Sequence, residues 1–265
     1  MEHFCHNPFL GLDISADGMI KPCCKFLSSE TPKFQIQNGI DSYKNSKWLK
    51  NIQNQFLAGG RPKGCDRCWK EESAGIKSKR QMDFQRHKKE FETYDLSSTK
   101  FININLTFGN LCNLACRICG PGPSSKWASE QKKIDGKKYP IHKWHTNKET
   151  LKEIYNETKD AIRIDVSGGE PLLVEIKEHF EYLKKFVDDG QSSQISLHYI
   201  SNGTTLLSES HISIWKKFKE VDITLSIDGI EKQFNYNRWP ANWNEVYDNL
   251  KNYQKICKNS KNIKI

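Results

Sequence analysis

Four short apolar runs, each ending in a glycine-bearing loop, alternate with helix-like segments from about residue 100 onward. The runs are FININLTFG (101–109), AIRIDVSGG (161–169), ISLHYISNG (195–203) and VDITLSIDG (221–229). Between them, stretches such as VEIKEHFEYLKKFVDD carry apolar residues at helical spacing. A chain that repeats strand, loop and helix forms βαβ units with right-handed crossovers. The sequence therefore predicts an α/β fold with a parallel sheet.

Polar loops directly follow all four predicted strands. These loops contain the motifs CNLACRICG, SGGEP, SNGT and SIDG. In parallel sheets the ligand lies at the carboxyl ends of the strands. We therefore expect four loops from distant parts of the chain to meet at one ligand-binding edge.

Three of the nine cysteines lie in the first of these loops. Cys112, Cys116 and Cys119 have the spacing C-x3-C-x2-C. A structural zinc site closes its tetrahedron with a fourth protein ligand, and no such residue lies close by in the sequence. Iron–sulfur clusters are also held by thiolates, so three thiolates leave one iron open to a group that is not protein. The alternatives are a zinc loop completed by a distant cysteine or by His142, or three ordinary buried thiols.

The cysteine spacing, the strand before it and the later SGGEP motif closely resemble the radical S-adenosylmethionine (SAM) superfamily. This resemblance implies a 4Fe–4S cluster on Cys112, Cys116 and Cys119, with SAM chelating the fourth iron. Ile118 stands where the family commonly has an aromatic residue. SAM-binding roles are implied for residues of the later loops and for an arginine that follows the fourth strand: Gly168, Gly169, Glu170, Ser201, Asn202, Ser226, Asp228 and Arg238.

Each of these polar residues has a simpler interpretation as a strand-end turn residue, or, for Arg238, as a surface arginine. The resemblance further implies reductive cleavage of SAM to a 5′-deoxyadenosyl radical, which abstracts hydrogen from a substrate. It assigns no catalytic side chain. An electron donor such as flavodoxin or ferredoxin is then expected as a partner. Peptide or protein modification is the expected use, and RNA or a small metabolite remain open as substrates.

A second set of cysteines precedes residue 70. The segments ISADGMIKPCC and GCDRCW resemble SPASM and twitch domains, which are auxiliary-cluster modules that usually follow the barrel. The resemblance implies a second 4Fe–4S cluster on Cys5, Cys23, Cys65 and Cys68, with Cys24 as a substitute for Cys23. A structural zinc ion on the same four thiolates is the alternative. The ninth cysteine, Cys257, is expected to be an ordinary packing residue.

Two domains are predicted on this basis. Residues 1–95 are short apolar pieces and turn signals and form the cysteine-rich auxiliary-cluster domain. Residues 96–265 form a partial radical SAM barrel. Barrels of the family generally have six strands, whereas this sequence reaches only the beginning of a fifth, NIKI. We therefore expect a barrel truncated after four to five strands, which either is a fragment or is completed by a second polypeptide.

Charge and composition bear on whether the protein binds nucleic acid, is secreted or spans a membrane. The chain has 41 Lys and Arg against 32 Asp and Glu, a net charge of +9. Basic runs such as KSKR are interspersed with acidic residues and are typical of solvated helix faces, which leaves nucleic-acid binding open. The amino terminus MEHFCHNPFLGLD lacks the features of a secretory signal, and no apolar stretch approaches the roughly 20 residues of a membrane helix.

A cytoplasmic location without a membrane partner is therefore expected. Because that compartment keeps thiols reduced, the cysteines are expected to be metal ligands or catalytic thiols and not disulfides. The competing functional hypothesis is a zinc-stabilised or cluster-bearing binding module. In that case the barrel is degenerate and non-catalytic, and the basic surface contacts nucleic acid.

Overall fold

A single sheet of seven strands organises the computed structural model, which describes residues 4–97, 99–173 and 176–265. The strand order is β2-β1-β3-β4-β5-β6-β7. Neighbouring strands are parallel except for the antiparallel pair of β1 and β2. The strands are β1 (Gly11–Ile14), β2 (Ile20–Lys21), β3 (Asn103–Thr107), β4 (Arg163–Ser167), β5 (Ser196–Ser201), β6 (Glu220–Leu225) and β7 (Ile263–Lys264).

Twelve α-helices lie in the described part of the chain. None of them is both long and apolar enough to cross a membrane. The helices are α1 (Asn7–Leu10), α2 (Ile40–Lys44), α3 (Lys47–Leu57), α4 (Asp66–Ser73), α5 (Lys79–Arg86), α6 (Lys88–Thr93), α7 (Ser125–Asp135), α8 (Lys148–Glu157), α9 (Glu178–Asp188), α10 (Glu209–Trp215), α11 (Glu231–Asn237) and α12 (Trp243–Lys258).

The predicted α/β fold with a parallel sheet is confirmed. Strands β3 to β6 overlap the four apolar runs, and β7 lies in NIKI. The helix predicted from VEIKEHFEYLKKFVDD is α9. The first two residues of that sequence segment, Val174 and Glu175, lie outside the described residues.

Strands β1 and β2 were not predicted, and both come from the cysteine-rich first part of the chain. Strand β1 pairs in parallel with β3, with Leu12 opposite Ile104 and Ile14 opposite Leu106. The amino-terminal part therefore extends the same sheet as the later strands. The division at residue 95 into two domains stays a prediction.

The two faces of the sheet differ in polarity because side chains alternate along each strand. One cross-strand row is apolar and packs under α8, α9 and α10: Leu12, Ile104, Ile164, Leu197, Val221 and Ile263. The next row, on the opposite face, is polar in every strand: Lys21, Asp13, Asn105, Asp165, His198, Asp222 and Lys264. Burial of the apolar row fixes the register, since a slip of one residue would exchange the two faces.

Candidate active site at the carboxyl ends of the strands

The loops after β3, β4, β5 and β6 meet at one pocket, as the strand order requires. Most of the predicted site residues line it together with a few apolar neighbours. The lining is Cys112, Leu114, Cys116, Ile118, Cys119, Pro123, Gly168, Gly169, Glu170, Ile200, Ser201, Asn202, Ser226 and Arg238. Of the predicted residues in these loops, Asp228 is not part of this lining, and it instead pairs with Arg238.

The cysteine loop is held in shape by polar side chains that flank it. Asn110 is completely buried, and its Nδ2 donates to the carbonyl oxygens of Gly122 at 2.9 Å and Pro140 at 3.0 Å. Its Oδ1 accepts from the backbone N–H of His142 at 2.8 Å. Ser124, the N-cap of α7, donates its hydroxyl to the carbonyl of Leu114 at 2.6 Å. These bonds hold the cysteine loop against the backbone around Gly122, Pro140 and His142.

Trp127 supports the middle of the same loop. Its indole Nε1 donates to the carbonyl oxygen of Cys116 at 2.6 Å. Sequence reasoning did not identify Asn110, Ser124 or Trp127. The only sequence signal was the Ser-Ser pair before α7, which is typical of a helix N-cap.

The three thiols of the loop have different surroundings. Burial raises the pKa of the Cys112 thiol to about 11. Burial also raises the pKa of Cys116, and the neighbouring Arg238 guanidinium opposes that increase. Cys119 is exposed. A metal centre binds thiolates, so its binding must displace the protons that the first two thiols carry near neutral pH.

The two glycines after β4 allow a close approach of three backbone segments. Gly168 has a φ of +85°, and a Cβ placed there would lie 1.7 Å from Cγ2 of Thr107. Gly169 has a φ of +51°, and its Cβ would lie 2.0 Å from the carbonyl oxygen of Leu111. A side chain at either position would be strained and would clash. The Gly-Gly pair is therefore required to bring this loop against the cysteine loop.

Glu170 links the loops after β4 and β5. Its side chain is buried, and Oε1 accepts from the Ser201 hydroxyl at 2.8 Å and from the Leu172 N–H at 3.0 Å. Oε2 accepts from the Asn202 N–H at 2.6 Å. Burial raises the pKa of Glu170, and these donors counteract the increase. The backbone N–H of Glu170 donates to the Leu111 carbonyl at 2.7 Å, so this residue also binds the start of the cysteine loop.

Asn202 connects the loop after β5 to the cysteine loop. Its Nδ2 donates to Oδ1 of Asn113 at 2.9 Å, and Asn113 in turn donates to the hydroxyl of Thr204 at 2.8 Å. The backbone N–H of Ser226, after β6, donates to the carbonyl of Ser201 at 2.8 Å. Hydrogen bonds therefore connect all four loops, either directly or through one intervening loop.

Arg238 reaches the pocket from the end of α11. Its Nη1 donates to Sγ of Cys116 at 3.8 Å, and its Nη2 lies 2.7 Å from Oδ2 of Asp228. The third nitrogen, Nε, is buried and has no hydrogen-bond partner among the described residues. The guanidinium is thus the cationic group of a pocket that also contains a buried carboxylate and three thiols.

The amino-terminal cysteines form a second site, away from this pocket. Cys5, Cys23, Cys65 and Cys68 line one small cavity, together with Phe26, Phe56 and the cations Lys25, Lys79 and Arg80. Burial raises the pKa of the Cys5 thiol well above its usual value, and the neighbouring Cys65 thiol raises it further.

The remaining two cysteines do not line this cavity. Cys24 is exposed. Cys257, on α12, is partly buried and packs against the main core, as an ordinary packing residue does.

Both thiol sets fit an iron–sulfur cluster by the chemistry of their donors. The first set has three thiols in one loop beside a buried guanidinium nitrogen without a partner, and the second has four thiols around one cavity. Among residues 4–97, 99–173 and 176–265, no three His, Cys, Asp or Glu side chains are placed to share one metal ion. A cluster differs from a single ion because its own inorganic core separates the thiolates that bind it.

Fold and site together define a parallel α/β protein with a three-thiol loop and a glycine-rich acidic loop at adjacent strand ends. The family model of the Radical SAM superfamily matches residues 106–263. The chain therefore belongs to the radical SAM superfamily, whose members are enzymes that use a 4Fe–4S cluster and SAM. No curated protein matches the chain.

Two solved structures are similar to part of the chain. One is native anSMEcpe with bound AdoMet, at 24% sequence identity and a TM-score of 0.40, covering 61% of this chain and 42% of that one. The other is native anSMEcpe with bound AdoMet and the Cp18Cys peptide, at 22% identity and a TM-score of 0.38, covering 62% and 42%. The matched part thus spans less than half the length of these structures.

Proposed function

We propose that this protein is a radical SAM enzyme whose catalytic centre is the pocket at the carboxyl ends of β3 to β6. The observation that carries this proposal is the convergence of Cys112, Cys116 and Cys119 with the Gly168–Glu170 loop and Arg238 around one cavity. When bound, a 4Fe–4S cluster on these thiolates supplies the electron that cleaves SAM reductively, which yields a 5′-deoxyadenosyl radical for hydrogen abstraction. The protein's own side chains bind and orient the reactants.

The pocket offers complementary groups for the charged end of SAM. The buried Nε of Arg238 is a donor for the SAM carboxylate. Gly168 and Gly169 line the pocket and are proposed to lie beside the SAM amino group, while their lack of side chains lets this loop pack against Thr107 and Leu111. Glu170 acts mainly through its neighbours, since both of its carboxylate oxygens already accept hydrogen bonds from within the protein.

The other predicted residues fall into two groups. Ser226 lines the pocket and is proposed to contact SAM directly, as is the hydroxyl of Ser201 if its bond to Glu170 is exchanged. Asn202 and Asp228 are proposed to act by positioning, because Asn202 is hydrogen-bonded to Asn113 and Asp228 forms an ion pair with Arg238.

An auxiliary 4Fe–4S cluster is proposed for the amino-terminal cavity, with Cys5, Cys23, Cys65 and Cys68 as ligands. The convergence of these four thiols from three separate chain segments supports this assignment. Zinc is the alternative occupant, because four thiolates suit both. The SPASM-like arrangement of these cysteines is the reason to propose a peptide or protein as substrate. A flavodoxin or ferredoxin is proposed as electron donor, because reductive cleavage of SAM requires one electron from an external reductant.

The decisive experiment is anaerobic reconstitution of the full chain with iron and sulfide, followed by an assay for 5′-deoxyadenosine on addition of SAM and dithionite. The triple variant C112A/C116A/C119A should lose about four irons per chain and all SAM cleavage. C257A is the matched control, because Cys257 packs against the core and lines neither thiol site. Unchanged iron content in the triple variant would refute the assignment of the catalytic cluster.

The second site is tested separately with C65A/C68A. This variant should lose iron while it keeps the electron paramagnetic resonance (EPR) signal of the SAM-binding cluster. Zinc in place of iron at this site, after strictly anaerobic preparation, would show that the site is structural.

A further inference from the structure

Arg238 contacts one cluster ligand and one counter-ion at the same time. Its side chain is buried, with Nη1 3.8 Å from Sγ of Cys116 and Nη2 2.7 Å from Oδ2 of Asp228. Asp228 is more exposed, with 35% of its side chain accessible. The guanidinium therefore contacts a thiol that lines the pocket and a carboxylate that is not part of the lining.

The backbone keeps the guanidinium in this position. The N–H of Ala115 donates to the carbonyl of Trp239 at 2.8 Å, and the N–H of Arg117 donates to the carbonyl of Asn237 at 2.9 Å. These two bonds flank the Cys116–Arg238 contact on either side. The Asn237 side chain also donates to the carbonyl of Asp228 at 2.8 Å. The cysteine loop and the end of α11 are therefore held in register, which fixes the backbone from which the Arg238 side chain reaches Cys116.

The position of this charge has a consequence for electron transfer. An iron–sulfur cluster gains one negative charge on reduction, so a cation hydrogen-bonded to a ligand sulfur stabilises the reduced form and raises the reduction potential. A nearby carboxylate has the opposite effect. Because Arg238 is buried, solvent and salt screen it less than they screen a surface cation.

We propose that Arg238 is a positioning residue that raises the reduction potential of the SAM-binding cluster through its hydrogen bond to Cys116, and that Asp228 limits this increase. The inference rests on the proposed function, because Cys116 must be a cluster ligand. It adds to the SAM-carboxylate role proposed for the same residue, since that role uses Nε, whereas the bond to Cys116 uses Nη1. No bond is made or broken in this step: one electron enters the cluster from an external reductant.

The test is a redox titration of the reconstituted full chain with dithionite as the reductant and redox mediators present, followed by EPR without SAM. At a fixed potential, R238Q should lower the ratio of reduced to oxidised cluster about tenfold, a shift of about 59 mV to more negative values for a one-electron couple. D228N should shift the potential in the opposite direction. R238K, which keeps the charge but loses the planar fork, should lie between wild type and R238Q.

Lys232→Gln is the matched control, because it removes one positive charge from the exposed surface of α11 and should leave the potential unchanged. Opposite shifts in R238Q and D228N cannot result from a general loss of structure. Equal potentials in wild type and R238Q at equal iron content, or shifts of the same sign in R238Q and D228N, would overturn the proposal.

Two further outcomes concern proteins that fail to incorporate iron. If R238Q fails to incorporate iron, D228N decides: a positive shift supports the proposal and an unchanged potential refutes it. If wild-type protein incorporates no iron on Cys112, Cys116 and Cys119, the proposed function itself fails, and this inference fails with it.

Discussion

The carboxylate of Glu170 accepts a 2.8 Å hydrogen bond from the hydroxyl of Ser201, across two loops that are separated by thirty-one positions in the sequence. The same carboxylate also accepts the backbone N–H groups of Leu172 and Asn202. Three donors from two loops therefore depend on one acidic side chain.

Glu170→Gln should destabilise the metal-free protein by about 1–3 kcal/mol, because an amide group cannot accept all three hydrogen bonds and leaves a buried donor unsatisfied. Urea unfolding measures this change. Glu181→Gln, on the exposed side of α9, is the control and should unfold like wild type. A Glu170→Gln protein as stable as wild type would contradict the role of this carboxylate as a link between loops.

Gly168→Ala should reduce SAM binding strongly, because the new Cβ would lie 1.7 Å from Cγ2 of Thr107 and the backbone φ is +85°. Thr107→Ser removes that methyl group, so the double variant should recover part of the lost stability and binding. The strain of the left-handed backbone, about 1–2 kcal/mol, should remain. Calorimetric titration of the reconstituted protein with SAM measures both effects.

Gly122→Ala is the matched control for this substitution. A Cβ at Gly122 meets no atom within 4 Å, and the residue lies in the loop that follows Cys119. We expect wild-type SAM affinity. Equal losses in Gly122→Ala and Gly168→Ala would show that general sensitivity of the site, and not the close approach of Gly168 to Thr107, causes the defect.

Asn110→Ala should weaken retention of the catalytic cluster. The substitution removes the side-chain donor of the Gly122 and Pro140 carbonyls, at a net cost of about 0.5–1.5 kcal/mol for each hydrogen bond. The rate of iron loss to a chelator should rise several-fold, whereas Asn244→Ala, at an exposed position of α12, should behave like wild type. Iron release from Asn110→Ala at the wild-type rate would show that the cysteine loop keeps its shape without these bonds.

The buried ring of His179 predicts a loss of stability in acid. Burial lowers its pKa to about 3, while the ring Nδ1 lies 2.6 Å from the carbonyl oxygen of Ile176. Below about pH 6.5 the unfolded chain binds a proton that the folded protein does not, so stability falls by about 1.4 kcal/mol per pH unit as the pH decreases toward 3. Above pH 6.5 this contribution is constant.

Metal-free wild type and His179→Gln should therefore differ in the pH dependence of their urea unfolding. Between about pH 6.5 and about pH 5.5 the wild type should lose about 1 kcal/mol more than the variant, because the unfolded histidine is already half protonated at pH 6.5. Burial also lowers the pKa values of His6 and His87 to about 4, and their contributions are shared by both proteins. Parallel stability curves for the two proteins would contradict the prediction.

The strands and their order along the chain could be predicted because each combines an apolar run with a polar loop. The loops after these strands lie at one edge of the sheet, and Cys112, Gly168 and Arg238 line the pocket there. The short strand β1 was missed because GLDI has only four residues, which is too short for a reliable period of two. Its pairing with β3 depends on contacts between residues about ninety positions apart.

The supporting residues of the site could not be predicted for a similar reason. Asn110 acquires its role from Pro140 and His142, and Asp228 from its distance to Arg238. These partners are set by the path of the chain and not by a local motif. The sequence indicated that Glu170 belongs to the site, but only the structure shows that its oxygens are occupied by Ser201, Leu172 and Asn202.

The pairing of the cysteine loop with the end of α11 also affects the order of events during synthesis. The N–H of Ala115 and the carbonyl of Trp239 are hydrogen-bonded across nearly half of the sequence. Long-range contacts of this kind form late, because the chain must pay the entropy of closing the loop between them. The Cys116 thiol of the nascent chain therefore lacks its Arg238 partner until the end of α11 has emerged. By then β1 to β6 have been synthesised, so this part of the site is completed after most of the sheet.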